Sequence, residues 1–341
     1  MASLHGLVAA VEPASRAGVS GPGVLIRLGG FRGSCRTAWC LAQAVAAVGL
    51  LAAGISSAYA DYQFTTLDDP LAAPGTTYVN GVSGGTVVGY YGSSGFSESG
   101  GTYTPLGVPG ATVTEVNGIS GTTIVGTFET SISGPWHGFI KVGSSFTTLT
   151  APGESYTGAG GIYGNTVVGI EQDSTGIEHG FMETGGNYTR LDMKAPAVNT
   201  IASGIYGNTV VGTYWGSIAD HEHGFMETGG SYTAINFPGA RDTWVSGISG
   251  STIVGSYDNT LYQYHGFMET GGVFTTLDFP GATTTNIQGI DGSTLVGTYT
   301  DSVGTHGFIA VPEPTSLTLV GAGVAGMLMR RRRRGFPAAG F

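Results

Sequence analysis

From Asp61 to Val311 the apolar residues come in short runs separated by clusters of Gly, Pro, Asn, Asp and Ser. Tyr188–Leu191 (YTRL) alternates apolar and polar positions, as a half-buried strand does. Thr209–Tyr214 (TVVGTY) is apolar almost throughout, as expected of an inner strand covered on both faces. Between them Pro196-Ala197 turns the chain, and in most copies of this corner the pair is Pro-Gly, which suits the centre of a type II turn. A short strand ending in Gly204-Ile205 follows, and Tyr206-Gly207-Asn208 makes a tight hairpin into TVVGTY. A variable loop then leads to a strand at His223–Glu227, and Thr228-Gly229-Gly230 turns it back into the next unit, glycine supplying the positive φ that such hairpins need.

That pattern of four strands recurs. The Gly-Phe step occurs at Gly95, Gly138, Gly180, Gly224, Gly266 and Gly307, at intervals of 43, 42, 44, 42 and 41 residues. A Val-Gly ending at Gly89, Gly126, Gly169, Gly212, Gly255 and Gly297 keeps the same beat, as do corners at Pro74, Pro109, Pro152, Pro196, Pro238 and Pro280. The octapeptide HGFMETGG appears unchanged from His179, His223 and His265. Six four-stranded units of about 42 residues predict an all-β, six-bladed β-propeller over 61–311. A lone first strand at Phe64–Leu67 and a lone fourth strand at His306–Ile309 would pair to complete one blade and close the ring. The competing architecture, a linear β-solenoid, would show capping units instead. With 61 glycines, 41% hydrophobic and 11% charged residues, the composition also excludes a disordered acidic chain.

The two ends read differently. Arg32 and Arg36 precede an apolar run from Ala38 to Ile55, and Ala58-Tyr59-Ala60 has the small-x-small form of a secretory cleavage site, so 1–60 reads as a signal peptide with the mature chain starting near Asp61. A translation start within the first thirty positions would give that peptide an ordinary length. Cys35 and Cys40 both fall inside it, which leaves the mature protein without a disulfide. At the other end Pro312, Glu313 and Pro314 precede an apolar run at 315–329, the cluster Arg330, Arg331, Arg332, Arg333 and Arg334, and a short tail at 335–341. As a helix the run would measure about 22 Å. That is short of a hydrocarbon core of about 30 Å, a marginal span that snorkelling arginines help to cross. The arginines stay cytoplasmic and leave the rest of the chain outside, in agreement with the signal peptide.

Residues 311–334 resemble the PEP-CTERM sorting signal of Gram-negative bacteria that make exopolysaccharide, in the Pro-Glu-Pro triplet, the short apolar run and the basic end. The resemblance implies passage through the secretion translocon, transient anchoring in the inner membrane and recognition of Pro312, Glu313 and Pro314 by an exosortase, a membrane transpeptidase. The outer surface or extracellular matrix is then the destination. An ordinary C-terminal anchor with a chance Pro-Glu-Pro is the plainer alternative. The repeats also resemble the extracellular HAF-repeat family in their Val-Val-Gly element and in steps such as His137-Gly138-Phe139, although the middle residue departs from His-Ala-Phe. That family implies export and repetition, not a defined chemistry.

Charge narrows the partners. Between Asp61 and Val311 four Lys/Arg stand against 21 Asp/Glu, a net charge of −17, which excludes a phosphate-backbone ligand such as nucleic acid. Histidines at 137, 179, 223, 265 and 306 invite a metal or acid–base reading, but equivalent positions of a propeller are spread around a ring. The expectation is that each bonds a backbone or hydroxyl group of its own blade and packs beside the following Phe. Glu98, Glu183, Glu227 and Glu269 adjoin hairpin turns and read as exposed, solubilising carboxylates. His221 and His223 form a candidate metal pair that lacks a third ligand. Trp136, Trp215, Trp244, Tyr262 and Tyr264 could stack on sugar rings, the alternative being that they fill gaps between blades.

No phosphate-binding loop, nucleophile elbow, zinc-protease or calcium-loop pattern is present, so neither catalysis nor a cofactor is expected. The sequence therefore favours an exported, non-catalytic protein that binds glycans or envelope components such as exopolysaccharide, or serves a structural role in a biofilm matrix. A glycan-active lyase or hydrolase is the alternative.

Overall fold

The computed structural model describes residues 62–313 apart from 132–133, 155, 195–198, 217–220 and 260–262. The expected signal peptide, the apolar run at 315–329 and the corner at Pro196 lie outside the described residues. Among those described, no helix is long and apolar enough to cross a membrane.

Among the described residues, the apolar runs predicted between Asp61 and Val311 are strands, and they form six antiparallel sheets. Blade 1 contains β2 (Thr77–Ser83), β3 (Thr86–Tyr91), β4 (Ser94–Ser99) and β5 (Thr102–Leu106). Blade 2 contains β6 (Val113–Ser120), β7 (Thr123–Glu129), β8 (His137–Val142) and β9 (Ser145–Leu149). Blade 3 contains β10 (Tyr156–Tyr163), β11 (Thr166–Gln172), β12 (Glu178–Thr184) and β13 (Asn187–Leu191). Blade 4 contains β14 (Asn199–Tyr206), β15 (Thr209–Trp215), β16 (His223–Thr228) and β17 (Ser231–Ile235). Blade 5 contains β18 (Asp242–Ser249), β19 (Thr252–Asp258), β20 (Tyr264–Thr270) and β21 (Val273–Thr276). Blade 6 combines β22 (Thr284–Asp291), β23 (Thr294–Thr300) and β24 (Thr305–Pro312) with β1 (Tyr62–Leu67), so the first strand of the fold completes the last sheet.

Tyr62 pairs with Pro312 and Leu67 with Gly307. Gly289 of β22 lies against Asn80 and Gly81 of β2, which brings blade 6 beside blade 1 and makes the architecture a closed six-bladed propeller, not a solenoid.

The blades are out of phase with the sequence unit by one strand. YTRL does not open a sheet. It is the outer strand of the preceding one, paired with β12, because the two-residue Gly-Gly hairpin binds it there. The sheet boundary falls at the proline corner, where Ala240 donates to the carbonyl of Phe237 and Ala282 to that of Phe279, closing the expected turns. TVVGTY is second from the axis. The innermost strand is the one ending in Gly-Ile, and each carries a bulge at Asn80, Asn117, Gly160, Ser203, Ser246 or Gln288. Those six residues line the central channel.

Packing lies chiefly between blades. Phe96, Phe139, Phe181, Phe225, Phe267 and Phe308 are completely buried, each adding about 2–3 kcal/mol by transfer from water. One cluster joins Val88 and Leu106 of blade 1 to Val116, Ile119 and Phe139 of blade 2. A second repeated device was hidden in the sequence. The buried threonines 77, 114, 157, 200, 243 and 285 each accept a hydrogen bond from a backbone N–H of the corner that precedes the strand, which ties every inner strand to the preceding blade's exit.

Candidate ligand site at the loop end of the ring

Strand direction gives the ring two unlike ends. At one end lie the hairpins that join the first to the second strand of each blade and the third to the fourth. The variable loops and proline corners occupy the other.

HGFMETGG resolves into structural tasks shared between these ends. At the loop end, His179 Nδ1 meets Asp192 at 2.9 Å, His265 Nδ1 meets Asp278 at 2.8 Å and His223 Nδ1 meets Asn236 at 3.2 Å. The partner is therefore a carboxylate or amide just after the outer strand, not the expected backbone or hydroxyl group. The rings lie against the second strand, as His265 on Tyr257 and His223 on Tyr214, instead of beside the following Phe. The outer strand ends where its neighbour's histidine begins, so the corner residue is within reach.

At the hairpin end, Glu183, Glu227, Glu269 and Glu98 are 4–7% exposed, which corrects their reading as solubilising surface carboxylates. Each accepts from the N–H of a hairpin glycine, Gly186, Gly230, Gly272 and Gly101 respectively, at 2.5–2.6 Å. The turn presents an otherwise unpaired donor at that point, and a carboxylate three residues earlier answers it.

His306 is the most elaborated copy. Its Nδ1 meets Asp68 at 2.8 Å and its Nε2 lies 3.3 Å from Asp301, so one ring clamps the first strand's exit to the last variable loop. Burial opposes its charge, but the hydrogen bond and charge of Asp68, joined by Asp301, raise its affinity for a proton above the ordinary value. A raised folded-state value stabilises fully below the unfolded value of about 6.5, and the contribution fades as pH rises through the folded value. Thermal melts between pH 5.5 and 8.5 should therefore show a falling Tm that is flatter in His306→Gln. Parallel curves would remove the clamp from the account.

His221 turns to Asp242 at 3.2 Å while His223 turns to Asn236, and no group of three His, Cys, Asp or Glu able to hold a metal ion exists among the described residues.

The predicted aromatics behave differently. Trp215 at the end of β15, Trp244 on β18 and Tyr264 at the start of β20 line one cavity of about 570 Å³, a size suited to a small ligand. The Trp244 and Tyr264 rings are 5.4 Å apart at 52°. Trp136 stands one residue before β8, where its carbonyl accepts from Thr157, and is not part of the lining. Tyr262 lies outside the described residues.

Sequence reasoning missed the polar half of this cavity: Glu222, Asn286, Gln288 and Ser203. Glu222 accepts from the indole N–H of Trp244. Burial raises its proton affinity, the Trp244 hydrogen bond works against this, and the charge of Asp242 adds to the rise. The missed signal is divergence. Aligned by their bulges, the six inner strands carry Tyr78, Glu115, Gly158, Ile201, Trp244 and Asn286 at one position, in a repeat otherwise kept nearly constant.

Comparison with known proteins adds a separate observation. A family model described as the PEP-CTERM protein-sorting motif matches residues 310–334. The chain carries a PEP-CTERM sorting motif. Such a motif implies export and membrane-anchored sorting by exosortase, a membrane enzyme. The PEP-CTERM match begins inside β24, so the sorting motif and the ring-closing strand share residues.

No curated protein matches the chain. Among solved structures it is similar to a mutant of AofleA from Arthrobotrys oligospora, with TM-score 0.48 and 12% identity over 73% of this chain and 86% of that one. The β-propeller domain of the Trilobed protease from Pyrococcus furiosus gives TM-score 0.43 and 9% identity over 70% and 94%. An acylaminoacyl peptidase gives TM-score 0.43 and 8% identity over 69% of this chain and 51% of its own, so the chain spans about half the length of that protein.

Proposed function

We propose that the protein is a non-catalytic glycan-binding component of the cell surface or extracellular matrix of a Gram-negative bacterium. In this reading the inner membrane holds it transiently before exosortase processing. The observation that carries the binding assignment is the cavity, where Trp215, Trp244 and Tyr264 stand beside the hydroxyl and amide groups of Ser203, Asn286 and Gln288. Flat apolar rings suit the C–H faces of sugars, and flanking amides and hydroxyls suit their hydroxyl groups. Binding is favoured over hydrolysis because hydrolysis by paired carboxylates needs two such groups across one bond. Glu222 is the one acid among the described lining residues. With that carboxylate in the wall and a strongly acidic domain around it, neutral or amino-bearing chains fit better than uronates.

Titration of the protein with neutral, amino-bearing and uronate oligosaccharides tests the reading. Trp244→Ala and Trp215→Ala should each weaken saturable binding by about fivefold or more, since stacking on an aromatic ring contributes on the order of 1–3 kcal/mol. Binding that both variants leave unchanged would place the ligand elsewhere, and slow cleavage of any oligosaccharide would favour the enzymatic alternative.

A further inference from the structure

We propose that, while its C-terminal segment is attached, the hairpin end of the propeller rests on a phospholipid bilayer and the aromatic cavity opens away from it. The position of the chain's exit carries this furthest. As the third strand of its blade, β24 runs from the loop end to the hairpin end, and its last residue, Pro312, is paired with Tyr62. Only Glu313 and Pro314 separate that pair from the apolar run at Thr315. Two extended residues reach about 7 Å, too little to hold the ring clear of a membrane in which the run is anchored.

The chemistry of the two ends agrees with this placement. Of the exposed large apolar residues, Val142, Tyr163, Tyr206, Val273 and Val311 belong to the hairpin end, and Leu71, Tyr264 and Val303 to the loop end. The hairpins there are linked from blade to blade: Ser83, Ser120, Ser249 and Asp291 accept from the N–H groups of Gly121, Gly164, Gly292 and Gly84. At the two remaining positions the acceptor is replaced by Tyr163 and Tyr206, whose ring centroids are 4.9 Å apart with the rings tilted at 52°. Aromatic rings of this kind, apolar with a polar tip, sit at the headgroup level of membranes.

The acids of this end, Glu98, Glu183, Glu227, Glu269 and Asp291, are engaged with backbone N–H groups, and Lys141 is placed among them. Asp68, Asp173, Asp192, Glu222, Asp278 and Asp301 all lie at the loop end, which an anionic leaflet repels.

The full chain, with Cys35→Ser and Cys40→Ser, is reconstituted into phosphatidylethanolamine–phosphatidylglycerol vesicles that contain nitroxide-headgroup lipid. A fluorophore is placed on Ser144→Cys at the hairpin end or on Ser302→Cys at the loop end, both exposed positions. Quenching at 144 should exceed that at 302 by threefold or more, and Tyr163→Ser with Tyr206→Ser should at least halve it. Equal quenching at the two positions, or no effect of the tyrosine changes, overturns the proposal. So does quenching at 144 that requires co-reconstituted exosortase, which would assign this face to a protein partner.

Discussion

Gly212→Ala is expected to destabilise the protein by roughly 3–5 kcal/mol, at the upper end of single-residue effects. A Cβ at Gly212 would lie 1.9 Å from the carbonyl oxygen of Ile201 and 2.9 Å from the Phe225 ring. The Ile201 carbonyl of β14 stands over Gly212 of the paired second strand, so the glycine is required by close approach. Relief would need β14 to move, yet Gly204 of the same strand already lies against Gly247 of the next blade. Such a cost is a large part of a typical domain stability of 5–15 kcal/mol. Gly107 is the control, since a Cβ there meets nothing within 4 Å, and its alanine variant should stay within about 0.5 kcal/mol of the parent. Urea titrations of both variants decide the matter: equal midpoints would show that the inner-strand bulge yields freely.

A chain lacking Tyr62–Leu67 should fail to melt as one cooperative unit. Its loss uncovers Phe308 and Phe279, which pack on Phe64 at 5.4 and 5.6 Å, and removes the Thr66 hydroxyl from Tyr299. Phe64 and Leu67 are half-buried and contribute about half of the 1.5–3 kcal/mol of a fully buried side chain each, and each ladder hydrogen bond adds about 1 kcal/mol, so the sum is a large share of a domain stability of about 5–15 kcal/mol. The exposed edge of β24 is also a template for pairing with other chains. Calorimetry should show a broadened transition and sedimentation should show association. A synthetic peptide of residues 62–67 is expected to reverse both. An unaltered single transition without the strand would mean that closure by β1 is dispensable.

The sequence misled where a residue's partner lies outside its own run. Glu227 reads as surface because it adjoins a Gly-Gly turn, but the turn folds its N–H back onto the carboxylate and buries it. His265 reads as bonded to a backbone or hydroxyl group of its own blade until the end of the outer strand, thirteen residues on, delivers the Asp278 carboxylate to its Nδ1. The phase of the blades was ambiguous for a related reason. YTRL is contiguous with the corner on one side and the hairpin on the other, and only pairing decides which sheet receives it.

By itself the sequence determined the number of blades, the pairing of first and last strands, the turn chemistry at the proline and glycine positions, and the sorting motif. All are written in short contiguous stretches or in their period, and local backbone preference is enough to read them. Tertiary structure alone decided that Trp215, Glu222, Trp244, Tyr264 and Asn286 meet, while Trp136 does not. It also decided that Asp68, Asp173, Asp192, Glu222, Asp278 and Asp301 lie at one end of the ring and Pro312, the end of β24, at the other. Neighbouring blades bring together residues about one repeat apart, and the antiparallel strand order fixes the end to which each belongs, so neither fact is carried by any single stretch of chain.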